Sequence, residues 1–399
     1  MKRTGFLLCL LCLAQIIFAQ QRVLNGRVLD LYLTQPIPGA RVQAGDRVSL
    51  TDSAGNFSIL VGDPTLVSVS ATAYNTRFYT IYAASSLTVF LNPVNYGTNY
   101  LQVRGLNNGA DLFHTPGSIA SLGPRDFLRN NQVDLPQTFN LQPGVRMEFR
   151  SINTGARILI RGYGNQNNFN GIGYKAYYDD IPLTDADGTT LLDDIDFASL
   201  GRVEVFRGPV SSEYGTGIGG AVQFYSEKAP PGITLKQDIL VGAEALFRNT
   251  STVSVGNETT NLSLHFGHQQ TDGYRMNNAS NKDFWSLNAT FYSSPKRTIS
   301  CLVYYSKSAD QLPGQLDSSG LINYPDSADL SYLNNHSHSN LESVRMGITQ
   351  EYRFNTLLSN RTSLFIGSQE QEQGVATVLT RTQKSDFGFR TSFLYTPRL

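Results

Sequence analysis

The chain has 399 residues, of which only 16% are charged, and its 32 Lys and Arg residues balance its 32 Asp and Glu residues. A formal net charge of +0 leaves no basic surplus, so the composition argues against a nucleic-acid-binding protein. The 20 Tyr and 22 Phe residues, against one Trp, favour strands over helices and predict a mostly β protein.

The first 19 residues have the pattern of an export signal. Lys2 and Arg3 give a positive start, residues 6–18 form an apolar run, and Ala19 is a small residue before the expected cut. The run is shorter than the roughly 20 apolar residues that a membrane-spanning helix needs. We therefore expect residues 1–19 to be a cleaved signal peptide.

Cysteine usage depends on that cleavage. Lipid attachment at Cys9 or Cys12 is the alternative to simple cleavage, but neither cysteine follows a small residue. After cleavage only Cys301 remains, and a single thiol can form neither an intramolecular disulfide nor a cysteine metal cage.

Residues 20–92 are the first predicted domain, a small β-sandwich. TLVSVSA (65–71) and LTVFL (87–91) alternate apolar and polar residues, and a polar turn at 52–56 separates two further strand-like runs. The stretches NGRVLD, PIPGARVQ, TDSAGNFSI and VSATAY, in this order, resemble the carboxypeptidase-regulatory-like domain. The resemblance implies a module without catalysis of its own, in which Gly39 and Gly55 are turn residues.

Residues 93–111 are a predicted linker, rich in Asn and Gly, and residues 112–229 are the second predicted domain. GSIASLGPRDFLRN (117–130) predicts a strand followed by a short helix, and ARILIRG (156–162) predicts a buried strand. LDDIDFASLGRVEVFRG (192–208) predicts a helix that stops at Gly201 and is followed by a strand.

A glycine-rich stretch follows that strand. Gly215, Gly217 and Gly220 satisfy G-x-G-x-x-G, which in a dinucleotide site opens a helix. Here AVQFYSEKA follows and alternates like a strand, so no helix N-terminus is available for a phosphate. We expect no nucleotide cofactor and a structural role in a tight loop for all five glycines of this stretch. They are Gly208, Gly215, Gly217, Gly219 and Gly220.

Three stretches of the second domain resemble the plug domain of TonB-dependent outer-membrane receptors in order and spacing. They are IRGYG (160–164), YYDDIPL (177–183) and GRVEVFRGPVSSEYGTGIGGAVQFYSEKA (201–229), and GSIASLGPRDF and DLPQTFNLQPGVRM resemble the plug's opening segments. The resemblance implies a mixed α/β plug inside a barrel. It also implies a TonB-type energy-coupling protein that pulls on the periplasmic N-terminal segment. NYLQVRG (99–105) is the best candidate for the coupling box.

Residues 230–399 alternate with a period of two. FWSLNATF places Trp285, Leu287, Ala289 and Phe291 on one face, and FGFRTSFLY does the same with the aromatic residues of 387–395. A soluble β-sandwich also alternates, but the export signal and the plug resemblance favour the start of an antiparallel transmembrane β-barrel in outer-membrane lipid. Only about eight or nine strands fit, whereas plugged transporters have about 22. We therefore expect a fragment or a truncated product.

Arg161, Glu204 and Arg207 are the charges that we single out. By the resemblance they lie in plug strands that face the barrel wall. Buried charges are costly without partners, so we expect the three to form one buried cluster in which Glu204 pairs with Arg161 or Arg207. An ordinary surface ion pair is the alternative.

Other patterns favour no chemistry. His336 and His338 have the spacing of a metal pair, but they lie in a polar stretch. DADGTTLLDD, from Asp185, partly matches a calcium loop, whose first ligand position is occupied by Leu183. Neither H-E-x-x-H nor a strand–Ser–helix elbow is present. We expect no enzyme, no metal and no cofactor, and we leave the substrate-binding residues unassigned.

The sequence thus predicts an outer-membrane receptor for the energised uptake of a scarce nutrient, with a ferric siderophore as the first candidate. An oligosaccharide, cobalamin or peptide importer is the alternative, as is a non-transporting surface β protein or adhesin. A glycosidase or carboxypeptidase with an accessory sandwich is a further alternative, which the absence of catalytic motifs disfavours.

Overall fold

The structure is a computed structural model, and its contacts divide the chain into two compact units, Met1–Asn99 and Tyr100–Leu399. The described residues are 22–31, 34–62, 64–72, 74–82, 86–91, 117–129, 133, 135–165, 170–210, 214–215, 217–230, 232–257, 259–294, 296–355 and 357–395. The predicted signal peptide (1–19), linker (93–111) and coupling box (99–105) lie outside them.

The first unit contains two sheets, of three and four strands. Its strands are β1 (Arg22–Asp30), β2 (Arg41–Ala44), β3 (Arg47–Leu50), β4 (Asn56–Val61), β5 (Thr65–Ser70), β6 (Arg77–Ile81) and β7 (Ser86–Leu91). The sheet orders are β4-β1-β7, in which β1 and β7 run parallel, and β3-β2-β5-β6.

Alternate residues of both sheets meet in one core. Val28 of β1, Val42 of β2 and Val67 of β5 are fully buried in the same apolar cluster. The predicted turn is also present, because the Asp52 carboxylate accepts hydrogen bonds from the Ala54 and Asn56 N–H groups at 2.9 and 2.8 Å. The sandwich architecture predicted for this segment is therefore confirmed.

Residues 112–229, predicted above to resemble a plug domain and called the plug region below, mix strands and short helices. Its elements are β8 (Ser118–Leu122), α1 (Pro124–Arg129), α2 (Leu135–Asn140), β9 (Val145–Glu148), β10 (Arg157–Ile160), β11 (Tyr174–Tyr178), β12 (Ile181–Pro182), a 3-10 turn (Phe197–Ser199), β13 (Leu200–Arg207) and β14 (Gly220–Ser226). β9 and β10 form a hairpin, and the main sheet has the order β12-β11-β14-β13-β8. Every residue of β14 is buried, so β14 lies at the centre of the region.

The helix predicted to end at Gly201 is wrong. Only the 3-10 turn Phe197–Ser199 forms there, and Asp196 caps it by accepting a hydrogen bond from the Ala198 N–H at 3.1 Å. β13 pairs with β14 from Leu200 onward, with an irregularity at Gly201. Strand pairing with β14 therefore outweighs the local helical pattern.

The rest of the second unit is one antiparallel sheet. Its strands are β15 (Gly232–Val241), β16 (Phe247–Gly256), β17 (Thr260–Thr271), β18 (Ser280–Ser294), β19 (Arg297–Gln311), β20 (His338–Arg353), β21 (Leu358–Val375) and β22 (Val378–Tyr395). Each strand pairs with the next, and the connection between β19 and β20 carries α3 (Ser318–Asn323) and α4 (Leu330–Asn334). Among the described residues, no helix is both long and apolar enough to cross a bilayer.

The sheet has two chemically different faces. The inward face packs on the plug region, and Phe284, Leu302 and Tyr304 on it belong to the same buried cluster as Tyr178 and Phe224 of the plug region. The outward face is apolar and exposed. The side chains of Phe387, Phe389 and Phe393 are exposed by 88%, 73% and 66%. The alternation predicted for these strands, and their number, are confirmed.

Candidate functional site: an acidic plug segment on a basic sheet face

The acidic segment, residues 179–196, is the most acidic part of the plug region. It holds seven aspartates, and no Lys or Arg lies between Lys175 and Arg202. It starts after β11, passes through β12 and ends at the 3-10 turn. Each strand of the sheet turns alternate side chains inward, so it can present Lys and Arg to this segment without exposing them on the outward face.

Lys282 of β18 lies at the centre of the contact. Its Nζ donates hydrogen bonds to the main-chain oxygens of Asp193 and Ile195 at 2.7 and 2.8 Å. The carboxylates of Asp193 and Asp194, only 2% and 1% exposed, lie close enough to interact with this ammonium. Since a buried ion is costly without partners, one lysine and these acids hold the segment against β18.

Asp193 links the acidic segment to the β9–β10 hairpin. Its carboxylate accepts hydrogen bonds from the N–H groups of Gly155 and Ala156 at 2.9 and 2.8 Å, and from the Thr154 hydroxyl at 3.2 Å. Burial raises the pKa of Asp193 to about 7, although these hydrogen bonds and Lys282 act in the opposite direction. Asp193 is therefore a group that titrates near neutral pH.

Asp194 points to the inward face instead. Its carboxylate accepts hydrogen bonds from the Tyr304 hydroxyl of β19 at 3.2 Å and from the Ser343 hydroxyl of β20 at 2.9 Å. Burial raises the pKa of Asp194, and the positive charge of Arg345 opposes the rise. Two adjacent aspartates thus fasten one turn both to a plug hairpin and to the sheet.

Four more cations of the sheet pair with the acidic segment. Arg248 of β16 pairs with Asp196, Arg345 of β20 with Asp185 at 3.6 Å, Arg361 of β21 with Asp180 at 3.4 Å, and Lys384 of β22 with Asp185 and Asp187, both at 3.1 Å. Arg345 also donates to the Pro182 carbonyl at 2.6 Å. Cations from five of the eight strands therefore bind the acidic segment along its length.

The tip of the β9–β10 hairpin reaches the end of the sheet where the long connections lie. Arg150 donates to the Tyr332 hydroxyl at 3.0 Å, and Ser151 donates to the Gln311 carbonyl at 3.0 Å. Asn153 donates to the Ser280 hydroxyl at 2.7 Å. A cleft of about 210 Å³ lies between this hairpin and residues 312–315. The plug hairpin and the long connections thus form one surface at this end of the sheet.

The structure does not bring Arg161, Glu204 and Arg207 together as one cluster. Glu204, fully buried in β13, pairs with Arg202 at 3.2 Å. Residues two apart in a strand share a face, whereas Glu204 and Arg207, three apart, point to opposite faces. The predicted pairing of Glu204 with Arg161 or Arg207 is therefore wrong, since Arg202 takes that position.

The two remaining arginines lie beside each other instead. Arg207 donates to the carbonyls of Pro143 and Ile119, and neither Arg161 nor Arg207 forms an ion pair with a carboxylate among the described residues. Burial lowers the pKa of Arg207, and the neighbouring charge of Arg161 lowers it further. These residues form a pair of like charges next to Gly144 and Gly208.

The five predicted loop glycines lie between β13 and β14 or at the start of β14. Gly208, Gly215 and Gly220 have φ values of 124°, 75° and 140°. A Cβ on Gly220 would overlap the Phe206 carbonyl, and one on Gly217 or Gly219 would also meet neighbouring atoms too closely. This geometry explains why glycine suits these positions, and their structural role remains a prediction.

The histidine pair and the partial calcium loop have ordinary partners. His338 lies at the start of β20, and its Nε2 is 3.2 Å from a Glu372 carboxylate oxygen. Asp185 is held by Lys384 and Arg345, as described above. Within the described part of the chain, no group of three or more His, Cys, Asp or Glu residues is placed to hold a metal ion.

Comparison with known proteins identifies the plug region. Residues 111–222 match the family model of the TonB-dependent Receptor Plug Domain. Similar solved structures include the ferric citrate transporter FecA in its unliganded form, with a TM-score of 0.61 and 14% identity over 70% of this chain and 44% of that one. The ferric yersiniabactin uptake receptor FyuA from Yersinia pestis has a TM-score of 0.56 at 13% identity, over 71% and 46%.

The siderophore receptor PiuA from Acinetobacter baumannii is also similar, with a TM-score of 0.55 at 15% identity over 71% of this chain and 43% of that one. At 13–15% sequence identity, these matches show a similarity of fold alone. The chain spans less than half the length of each of these receptors. The fold is therefore a plug region on an antiparallel sheet that resembles part of a TonB-dependent receptor barrel.

Sequence reasoning missed the cations of the inward face, among them Lys282, Arg345 and Arg361. One signal was present: seven aspartates in 18 residues, without a basic residue among them, require cations from elsewhere in the chain. Which cations meet them depends on strand register, which the sequence does not display.

Proposed function

We propose that the chain acts in a TonB-dependent outer-membrane receptor for the energised uptake of a scarce nutrient. The observation that carries the proposal is the plug region fastened to the inward face of an antiparallel sheet through Lys282 and four other cations. A region held by many separate polar contacts can block a lumen and still be rearranged when a partner supplies mechanical work. Such a protein binds and transports, so no catalytic residues are required.

The remaining assignments follow from this role. Residues 1–19 would direct export and be cleaved, and the apolar outward face would lie in outer-membrane lipid. A TonB-type energy-coupling protein would pull on the periplasmic N-terminal segment by strand addition. We assign residues 20–92 to the carboxypeptidase-regulatory-like domains on the strength of their sequence resemblance and their two-sheet architecture.

A ferric siderophore is the first ligand that we propose. FecA, FyuA and PiuA are named for ferric citrate, ferric yersiniabactin and siderophores, and each is similar in fold to this chain over 70% or 71% of its length. The ligand would meet the surface formed by the β9–β10 hairpin and the long connections, where Arg150 and Tyr332 lie. This surface lies at the end of the sheet opposite the short turns. In the proposed orientation the short turns face the periplasm, so a ligand would reach this surface from outside the cell.

Uptake of iron chelates in a deletion strain tests the proposal. We expect cells that lack the gene to lose uptake of at least one radiolabelled ferric chelate, and the intact gene to restore it. Collapse of the proton gradient should abolish the restored uptake without removing the protein from the outer membrane. Recovery of the protein in the cytoplasm with Met1 intact, or uptake that ignores the gradient, would contradict the proposal.

A further inference from the structure

The register of β17 to β21 arranges the outward face in rows. Phe266, Trp285 and Tyr305 are direct cross-strand neighbours, and the rings of Trp285 and Tyr305 stack at 6.1 Å. Aromatic residues of this kind mark the interface between hydrocarbon and headgroups in membrane proteins. They therefore indicate the level of the membrane boundary on this face, if the protein lies in the outer membrane as proposed.

The next row towards the long connections is charged. His268, Asp283, Lys307, Glu342 and Glu370 follow one another across five strands, each directly opposite the next. Lys307 and Glu342 form an ion pair at 3.3 Å, as do His268 and Asp283 at 2.8 Å when His268 is protonated. Such a row suits the level of lipid headgroups rather than hydrocarbon.

Above the charged row lies a groove of about 370 Å³. Gln270, Asn281, Ala309 and Asn340 form the next row of direct neighbours and line the groove, together with Gln311 and His338. Ala309 is the small residue in this row, and it leaves room between the amides on either side. Neighbouring strands lie about 4.8 Å apart, so the main chains of the two asparagines are roughly 10 Å apart.

Two of the four amides in this groove are available to a ligand. Gln270 contacts His268 at 3.4 Å, and Gln311 accepts a hydrogen bond from the Ala279 N–H at 3.2 Å. The Asn281 and Asn340 side chains are exposed and make no hydrogen bond with any described residue. Each presents an acceptor and two donors, which match the hydroxyl groups of a sugar.

We propose that this groove binds the neutral sugar headgroup of an outer-leaflet glycolipid. The proposal rests on the proposed outer-membrane location. Charge favours a neutral headgroup over a phosphate, because carboxylates outnumber the fixed cations around the groove. The carboxylates are those of Asp272, Asp283, Asp310, Glu342, Glu370 and Glu372, and the cations are Lys307 and Arg381. The position directly above the aromatic row, on the outward face, favours a lipid-anchored sugar over a soluble one.

Binding to the purified 399-residue chain in detergent micelles tests the proposal without any transport assay. The probes are digalactosyl diacylglycerol, phosphatidylglycerol and free lactose, and native mass spectrometry counts the lipid or sugar that stays bound. We expect the galactolipid to bind at least ten-fold more tightly than either of the others. The double variant Asn281→Leu with Asn340→Leu, and separately Ala309→Trp, should each weaken it at least ten-fold.

Gln350→Leu is the matched control, since Gln350 lies on the same face of β20 at the other end of the strand. It should bind the galactolipid as the wild type does, and heat-modifiable migration identifies variants that have folded. Equal binding of phosphatidylglycerol, equal binding of lactose, or folded groove variants that bind like the wild type would each overturn the proposal. A failure to find iron uptake would count against the proposed function only. It would not change the outcome of the galactolipid-binding test.

Discussion

The inward and outward faces of the eight-stranded sheet follow the same alternating pattern but carry opposite chemistry. Arg248, Lys282 and Arg345 project inward, and each meets an aspartate or a main-chain oxygen of the plug region. At the level of Arg345, whose cross-strand neighbour is Gly367, the outward face carries Ile366 and Phe387, exposed by 57% and 88%. A charge is therefore placed where a fixed partner exists, and an apolar side chain where lipid is the expected neighbour.

Removal of an inward charge should have the largest effect. We expect Lys282→Met to destabilise the folded protein by about 3–5 kcal/mol, because the acids around Lys282 would then be buried without their cation. Urea unfolding of the full chain from lipid vesicles measures it. Lys236→Met is the control, because Lys236 pairs at 3.2 Å with Asp238 while both are solvent-exposed. It should cost about 0.5 kcal/mol or less, and equal losses in the two variants would refute the contrast.

The inward face should also respond to pH through Asp193. Its pKa is raised to about 7 in the folded state from the ordinary value of 3.8, so between these values the folded state holds a proton that the unfolded state releases. The free energy of unfolding relative to Asp193→Asn should therefore fall as pH rises from about 4 to about 7. By linkage the fall is at most roughly 4 kcal/mol. Unfolding curves at several pH values test it, and a difference that stays flat or rises with pH would contradict it.

The converse change puts a charge on the outward face. Ile366→Arg should cost about 2–4 kcal/mol in vesicles, because lipid on this face, as proposed, would surround the new guanidinium with hydrocarbon, and its row holds no acid. Gln383→Arg, on the same face of β22 beside Glu370, is the control and should cost about 0–1 kcal/mol. Equal costs for the two arginines would mean that lipid does not cover this face.

Much of the fold follows from local patterns in the sequence. Period-two runs such as FWSLNATF predict the strands and their faces correctly, because alternation alone decides which side chains share a face. The helix expected before Gly201 fails because pairing with β14 is a long-range interaction that local residues do not encode. The pairing of Lys282 with the turn at Asp193 spans 89 residues, so it too required the folded sheet.

The last prediction compares Arg202 and Arg161 as partners of Glu204 within the plug region. Glu204 is fully buried against Arg202, whose guanidinium lies 4.5 Å from the centre of the Tyr225 ring, and the Tyr225 hydroxyl donates to Glu204 at 3.1 Å. We therefore expect a double-mutant cycle of Arg202→Met and Glu204→Gln to show a coupling of about 1 kcal/mol or more. The corresponding cycle of Arg161→Met and Glu204→Gln should show less than about 0.5 kcal/mol, because Arg161 and Glu204 form no ion pair with each other. Both cycles use the same urea unfolding assay. A larger coupling for Arg161 than for Arg202 would restore the original pairing and reject the one that strand alternation dictates.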